Sequence, residues 1–334
     1  MQDTTRVGAP NLIVQPDHGV GPVVAMLRSA AREILLKQFT FDHPILLDEV
    51  IARHADGVAV RVLLNAAKVT GERINDATFA RFEAAGVPVR WTPPHFLVTH
   101  EKSLVVDGAR AMIATFNFME KYFSKTRDYG VVLSDPGQVA GIRACFEGDW
   151  SGETYVPDRG GELSWSPGNA RAVLCDMLDG AERSIDLAHP KFAEPVIFER
   201  IHAALRRGVR VRLLCGGKHG LHQPDLMYSF ALWRLFREAG GRLHKQRGLR
   251  SHGKVVIVDG DRVFLGSQNF DQPAFDLRRE LGLIVRDPAV VHGIAAVFEA
   301  DWRSSRKYEP PYPISPPDHM ESTEFKSDAD LQHS

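Results

Sequence analysis

The sequence predicts an α/β fold made of two copies of one domain-sized unit, and three observations predict it. The two halves match at a nearly constant offset, each half alternates β-branched runs with segments of helical period, and a repeat of this length is far too long for a solenoid. The register opens with LIVQP at 12–16 against LSWSP at 163–167, an offset of 151. The same offset pairs Ile34 with Ile185, Phe41 with Phe192, and GVAVRVLL from Gly57 with GVRVRLLC from Gly208. One net insertion then raises it to 152, pairing His100 with His252, Lys102 with Lys254, Asp107 with Asp259, Asn117 with Asn269 and Gly130 with Gly282. Phe146, Glu147, Asp149 and Trp150 recur as Phe298, Glu299, Asp301 and Trp302.

In chain order, VVAMLRSAAREILL (23–36) carries apolar residues at helical spacing, ILLDEVIARHADG follows Pro44 as a second helix, and VAVRVLL is a β-branched strand run. The second unit repeats the order with AVLCDMLDGA, SIDLAH, EPVIFERIHAALRRG and VRVRLL. Pro167, in SPGNA at 166–170, reads as a residue near the first positions of a helix. The polar, Gly-containing stretch at 156–165 reads as a linker between halves at 11–155 and 166–308, and the proline-rich then polar 309–334 as a flexible tail.

With 44% hydrophobic and 25% charged residues, the chain has the composition of an ordinary globular protein. A net charge of -1 gives no global attraction to polyanions, which leaves only local basic clusters such as Arg206, Arg207, Arg210 and Arg212. Cys145, Cys175 and Cys215 are widely spaced and odd in number, so buried thiols are expected rather than a disulfide framework or zinc site. The N-terminus lacks a basic start followed by an apolar run, and no apolar stretch approaches 20 residues. A cytoplasmic protein with no transmembrane segment is therefore expected, unless a leader has been removed.

Two segments concentrate the chemistry: THEKSLVVDGARAMIATFNF from Thr99 and SHGKVVIVDGDRVFLGSQNF from Ser251. Each holds His-x-Lys, then four residues, Asp, and an Asn seventeen after the His. An extended segment puts residues two apart on one face, so an imidazole and an ammonium point into one place. Asp-Gly at 107–108 and 259–260 marks a tight hairpin turn whose returning strand brings Asn117 and Asn269 near the histidines. Asp107 and Asp259 are expected to brace those turns as Asx-turns.

These paired motifs, with Gly-Ser-x-Asn at 266–269, resemble those of the phospholipase D superfamily, and the resemblance spans about residues 11–308. It implies a duplicated phospholipase D-like fold of two α/β sandwich halves about a pseudo-twofold axis, with the active site at their interface. It also implies a phosphodiesterase working through a phosphohistidine without a cofactor or metal. His100 is the expected nucleophile, because the first motif usually supplies it, and His252 the general acid and then base. Lys102, Lys254, Asn117 and Asn269 would donate to the phosphate oxygens. Asp128 and Glu280, each 28 residues after a motif histidine, are the candidates for orienting the rings, and Thr115 and Ser267 for hydroxyl support. The first motif departs from the pattern by reading Ala114-Thr115-Phe116-Asn117, but it keeps a hydroxyl and the Asn.

Resemblance to bacterial phospholipase D and cardiolipin synthase-like proteins implies a glycerophospholipid substrate, hydrolysed or exchanged at its headgroup, with peripheral membrane contact. The absence of a membrane-spanning N-terminus, common in cardiolipin synthases, counts against the expectation of a dedicated membrane synthase. A metal-independent nuclease is the alternative, disfavoured by the neutral charge. A non-catalytic binding protein on the same fold is disfavoured by two intact His-Lys-Asn sets. Trp91, His95 and Phe96 read either as a lipid-facing or base-stacking rim or as core, and Arg242, Lys245, Arg247 and Arg250 either steer an anionic substrate or form a solvated surface. Loops 65–75 and 216–225 are expected to set the substrate. His189-Pro190-Lys191 reads as a strand end near the site, and His43, His54, His202, His219 and His222 as ordinary polar positions.

Overall fold

A computed structural model describes residues 11–153, 155–157, 161–218, 221 and 223–312. His219, His222, part of the 216–225 loop and residues 313–334 of the expected tail lie outside them.

In the first half, β1 (Leu12–Gln15), α1 (Gly21–Arg28), β2 (Glu33–Gln38), α2 (Pro44–Ala55), β3 (Ala59–Leu64), α3 (Asp76–Ala84) and β4 (Val89–Trp91) are followed by β5 (Ser103–Val106), β6 (Arg110–Ala114), α4 (Glu120–Ser124), β7 (Thr126–Leu133) and α5 (Pro136–Ser151). The second half runs β8 (Leu163–Ser166), α6 (Ala170–Asp179), β9 (Ser184–Ala188), β10 (Phe192–Ala193), α7 (Pro195–Arg206), β11 (Arg210–Cys215), α8 (Gln223–Glu238) and β12 (Arg242–Lys245). It continues with β13 (Arg250–Ser251), β14 (Val255–Val258), β15 (Arg262–Gly266), β16 (Phe270–Asp271), α9 (Gln272–Asp276), β17 (Glu280–Val285), α10 (Pro288–Ser304) and β18 (Arg306–Lys307). The first sheet has the order β1-β7-β6-β5-β2-β3-β4 and the second β8-β17-β15-β14-β9-β11-β12-β18. Apart from the added β18, the two orders correspond strand for strand, as the repeat predicts.

Both faces of these strands are covered, which is why they read as continuous apolar runs rather than alternating ones. Ile34 and Leu36 of β2 turn outward to pack with α1 and α2 through Val23, Leu27, Leu46 and Val50. Between them, Leu35 turns inward to a core shared by the halves, where it joins Val105, Ile257, Leu265 and Leu281 with Ile142 and Phe146 of α5 and Ile294 and Phe298 of α10. A third cluster, including Leu174, Ile185, Ile201, Leu213 and Trp233, fills the outer layer of the second half. The two sheets therefore share one buried interior that also takes in α5 and α10, with α1 and α2 on the outer face of the first sheet and α6 and α7 on that of the second.

Several expectations need correction. The helix read into 23–36 stops at Arg28, and Glu33–Gln38 is strand β2. Leu163–Trp165, assigned to the linker, belongs to β8 and pairs with β17. Residues 309–312 of the expected tail lie against α8, where Glu309 accepts from Arg237 (2.9 Å) and the Pro311 carbonyl from Arg234. Helix α6 starts at Ala170, three residues after Pro167. Asn169 closes the turn before it, accepting from the Trp165 N–H at 2.7 Å and donating to the Leu163 carbonyl at 3.0 Å.

Asp107 and Asp259 do not brace their own turns as Asx-turns would, because their carboxylates bond elsewhere and the turns close through backbone bonds. Both take positive φ (56° and 53°) ahead of glycines that do the same (62° and 74°), the geometry of a two-residue hairpin turn. Their carboxylates reach across to the start of the neighbouring strand. Asp107 accepts from the backbone N–H of Ala31, Arg32 and Glu33 at 2.7–3.0 Å, and Asp259 from Glu182, Arg183 and Ser184 at 2.7–3.0 Å. At about 3.3 Å of rise per residue, this lies on the order of 20 Å from the histidines, at the far end of β5 and β14.

Candidate active site

Each histidine is held by the other half. The segment entering the first motif pairs with the chain before β17: Leu97 N–H donates to the Leu277 carbonyl (2.9 Å), Arg279 N–H to Val98 (3.1 Å) and His100 N–H to Arg279 (2.8 Å). The second motif repeats this arrangement. Strand β13 lies parallel to β7, with Arg250 N–H on the Lys125 carbonyl (3.0 Å) and Gly253 N–H on Arg127 (2.8 Å). The acid following each arginine is thereby delivered to the opposite half's ring. His252 Nδ1 lies 2.7 Å from Asp128 Oδ1, and His100 Nδ1 lies 2.9 Å from Glu280 Oε2. In sequence each acid is spaced from its own half's histidine, but in space it serves the other.

The two pairs differ in how well the carboxylate is supplied with donors. Asp128 accepts from Thr115 and Thr126 hydroxyls, both at 2.6 Å, in addition to the imidazole. Burial favours its protonation, but His252, Lys254 and Thr115 outweigh burial and hold it below the usual carboxylate range. Glu280 is fully buried with Oε1 unpartnered, and burial pushes it up to about 8 against Lys102 and Arg278. His100 Nδ1 also lies 3.1 Å from the Ser267 carbonyl, which only accepts, so Nδ1 carries the hydrogen and Nε2 is left with its lone pair.

Lys102 donates to the His100 carbonyl, and Lys254 to the His252 carbonyl at 2.6 Å, with its Nζ 3.1 Å from His252 Nε2. Burial pulls His252 down to about 4 despite Asp128, with Lys254 and Lys102 adding to the fall. His100 is held well below its ordinary range by burial and then by Lys102 and Lys254. Lys254 itself is lowered to about 8 by burial. Each motif thus feels the other's ammonium.

Asn117 hydrogen-bonds the Tyr122 hydroxyl, and the Tyr122 ring packs 4.7 Å from His252. Asn269 is half-buried and makes no side-chain hydrogen bond among the described residues. Ser267 closes on the Leu281 backbone, accepting its N–H at 3.0 Å and donating to its carbonyl at 3.3 Å. His189 is a strand end near the site, stacked 3.9 Å from Phe270, with Nε2 3.2 Å from the Gln268 carbonyl. Arg212 is consumed by Asp186 and Glu299 rather than offered to a polyanion. Of the basic residues before the second motif, Lys245 and Arg250 line a cleft of about 560 Å³ with Lys121, Tyr122, Gln246 and His252, whereas Arg242 lies elsewhere. Trp91 stacks on Phe79 at 4.1 Å as part of the first-half packing, while Phe96 lies under Arg279, 4.3 Å from the guanidinium.

Sequence reasoning missed Tyr122, Phe39 (4.7 Å, edge-on to His100), Arg278 and the interface charges. Arg127 pairs with Asp301 at 2.8 Å, and its repeat counterpart Arg279 with Asp149 at 3.1 Å, each across the halves. The signal was present, since Arg precedes the acid in both halves and the Asp of both Phe-Glu-x-Asp-Trp segments recurs. Glu101, Cys145 and Asp149 converge in a way that resembles a metal site. However, the Lys37 ammonium sits among them, 2.9 Å from Glu101 and 2.7 Å from Asp149, so the cation they are built for is a side chain.

Residues 23–150 and 174–302 match the protein family described as "Cardiolipin synthase, PLD-like domain". The chain is 25% identical over 322 residues to probable cardiolipin synthase YwiE of Bacillus subtilis, covering 85% of this chain and 64% of that protein. It is 26% identical over 323 residues to cardiolipin synthase A of Pseudomonas putida, covering 84% and 66%. The chain thus spans just under two thirds of these relatives' length. In fold it resembles phosphatidylserine synthase of Haemophilus influenzae (TM-score 0.72, 14% identity, 90% of this chain and 88% of that one). Polyphosphate kinase of Porphyromonas gingivalis is also similar (TM-score 0.70, 17% identity, 90% and 48%).

Proposed function

The chain belongs to the phospholipase D superfamily, and on that premise we propose that it transfers the phosphatidyl group of a glycerophospholipid, to water or to an alcohol, through a phosphohistidine. One observation carries the reading: two imidazoles, each with Nδ1 on a buried carboxylate from the opposite half, share their surroundings with two buried ammonium groups. In this scheme His100 Nε2 attacks phosphorus, the bond to the departing oxygen breaks, and His252 gives that oxygen its proton. His252 then takes a proton from the entering water or alcohol, whose oxygen displaces His100. Lys102 and Lys254 neutralise the phosphate oxygens throughout. A bound phosphodiester also offsets the ammonium charges that depress His252, so substrate binding itself raises the ring toward the protonated form an acid needs. The lipid donor comes from the relatives' printed names, and the nuclease reading has no comparable support.

The test incubates wild type, His100→Ala and His252→Asn with phosphatidylcholine, phosphatidylglycerol and single-stranded DNA in EDTA. Wild type is expected to release headgroup, and either substitution to slow it by about 10³-fold or more. His252→Asn should accumulate the phosphatidyl group on His100, detected by mass spectrometry. Cleavage of DNA alone would overturn the lipid donor. Turnover lost in EDTA would overturn the phosphohistidine route, and label on His252 in a converse His100→Asn trap would reverse the roles.

A further inference from the structure

Side chains two apart in an extended segment share a face, so the residue two before each acid on an imidazole looks the same way as that acid. In the first half this residue is Thr126, whose hydroxyl donates to Asp128 at 2.6 Å. Offset by 152, the second half puts Arg278 there, two residues before Glu280. The intervening Arg279 turns the other way, into the interior and onto Asp149. Where the first half closes a short hydroxyl on its carboxylate, the second thus carries a long cation among the groups around His100. Its charge bears on His100, Lys102 and Glu280 alike.

The Arg278 side chain is only 12% exposed, yet its guanidinium is loosely held. Nη1 lies 3.3 and 3.4 Å from the two Asp271 oxygens, longer than a charge-assisted hydrogen bond. That carboxylate is already engaged by the Lys191 ammonium at 2.5 Å and by the Ala274 N–H at 3.0 Å, where it caps α9. Arg278 Nε is buried without a partner, and Nη2 makes no hydrogen bond among the described residues. Glu280 Oε1 is equally unpartnered, so the guanidinium is not spent on that acid either. The Nε and Nη2 hydrogens project side by side from one edge of the plane, the fork that suits the oxygens of a phosphate. Keeping that edge buried and unpaired costs free energy, which an oxyanion laid against it recovers.

We propose that Arg278 is a catalytic residue, which holds a non-bridging oxygen of the reacting phosphodiester through its Nε–Nη2 edge on the His100 side. The inference rests on the phosphohistidine reading and adds a donor that the repeat does not duplicate. While His100 Nε2 bonds to phosphorus and the leaving oxygen departs with the His252 proton, Arg278 neither gives nor takes a proton, since a guanidinium stays charged throughout. Thr126 holds the matching place in the first half, so this cation acts from one side only. The two non-bridging oxygens therefore cease to be equivalent: one answers to Arg278, and the other to the lysines without it.

The experiment supplies phosphatidylcholine with sulfur at one or the other non-bridging position, as separated Rp and Sp phosphorothioates, to wild type, Arg278→Lys and Arg278→Thr. Sulfur accepts poorly from a guanidinium, so wild type is expected to turn over the two isomers at rates differing by about 10- to 100-fold. Arg278→Thr should shrink that ratio by about tenfold or more, and on ordinary phosphatidylcholine it should lower kcat by about 10²-fold with KM held within about threefold. Arg278→Lys keeps the charge but loses the fork, so it should fall between, and it preserves the measurement if the threonine variant fails to fold. Asp271→Asn retains an acceptor for the α9 cap and is expected to leave both kcat and the isomer ratio near wild type. A wild-type ratio near one, a ratio unmoved in both variants, or a raised KM with kcat intact overturns the contact. An equal loss in Asp271→Asn would reduce Arg278 to a structural partner of that acid. If His252→Asn traps nothing on His100, the parent reading falls; if it traps the phosphatidyl group equally fast with Arg278→Thr added, only the assignment of Arg278 does.

Discussion

The two halves share a plan and a common core, but they fill the ground beneath their motifs differently. Beneath the first motif, Asp149 meets Arg279 from the other half together with Lys37 and Glu101, all essentially buried. Beneath the second, the equivalent Asp301 meets Arg127, while the counterparts of Lys37 and Glu101 are Ala188 and Gly253. Gly253 is required there, because a Cβ would approach the Tyr129 ring to 2.9 Å. The arginine that crosses to the opposite aspartate is thus the common element, and the extra ammonium–carboxylate pair is a private solution of the first half. Duplication preserves what ties the halves together and lets the filling of each diverge.

This contrast can be broken most forcefully at the aspartates. Asp149→Ala leaves the cations of Lys37 and Arg279 buried with Glu101 as the one carboxylate beside them among the described residues, and is expected to cost about 3–5 kcal/mol in denaturant unfolding. Asp301→Ala leaves Arg127 with Asp17 at 2.8 Å and the Gln15 carbonyl at 2.9 Å, so it should cost clearly less. Equal losses would show that the private pair adds nothing. The two acids that hydrogen-bond the imidazoles sharpen the comparison next. Glu280 is raised from 4.5 to about 8, so the stability it contributes is complete below about pH 4.5 and is lost as pH rises toward 8. Asp128 is lowered, so its contribution is present at neutral pH and is lost on acidification. Glu280→Gln is therefore expected to flatten the decline of Tm between pH 5 and 8, and Asp128→Asn the decline in acid, with a flat wild-type profile contradicting both. The smallest effect belongs to the turn aspartates. Asp107→Ala and Asp259→Ala should each cost about 1–2 kcal/mol, because three backbone donors lose a charged acceptor, while leaving kcat within about twofold. A large loss of turnover in a folded variant would place these residues in the chemistry after all.

The duplication, the sheets with covered faces and the His-Lys pairs were all legible in the residues, because a repeat and a period-two segment are local patterns. The helix read into 23–36 failed for a physical reason. Ile34, Leu35 and Leu36 lie on a strand buried on both faces, so their apolar run carries no alternation to distinguish it from a helix stripe. The crossing of Asp128 and Glu280 was not legible either. It arises where residues 97–101 pair with 277–279 and β13 with β7, and spacing along the chain reports only each acid's own half. Lys37 likewise reads as an ordinary polar end of a strand until Glu101, 64 residues away, and Asp149, 112 away, are found on its ammonium.

Because each imidazole takes its carboxylate from the far lobe, the lobes cannot be inherited or engineered as separate modules. A chimera joining residues 11–153 to the second lobe of a relative would hand both rings foreign partners at once, even with every motif residue in place. Exchange between relatives therefore has to carry the tracts around Arg127-Asp128 and Arg279-Glu280 along with the histidines they serve.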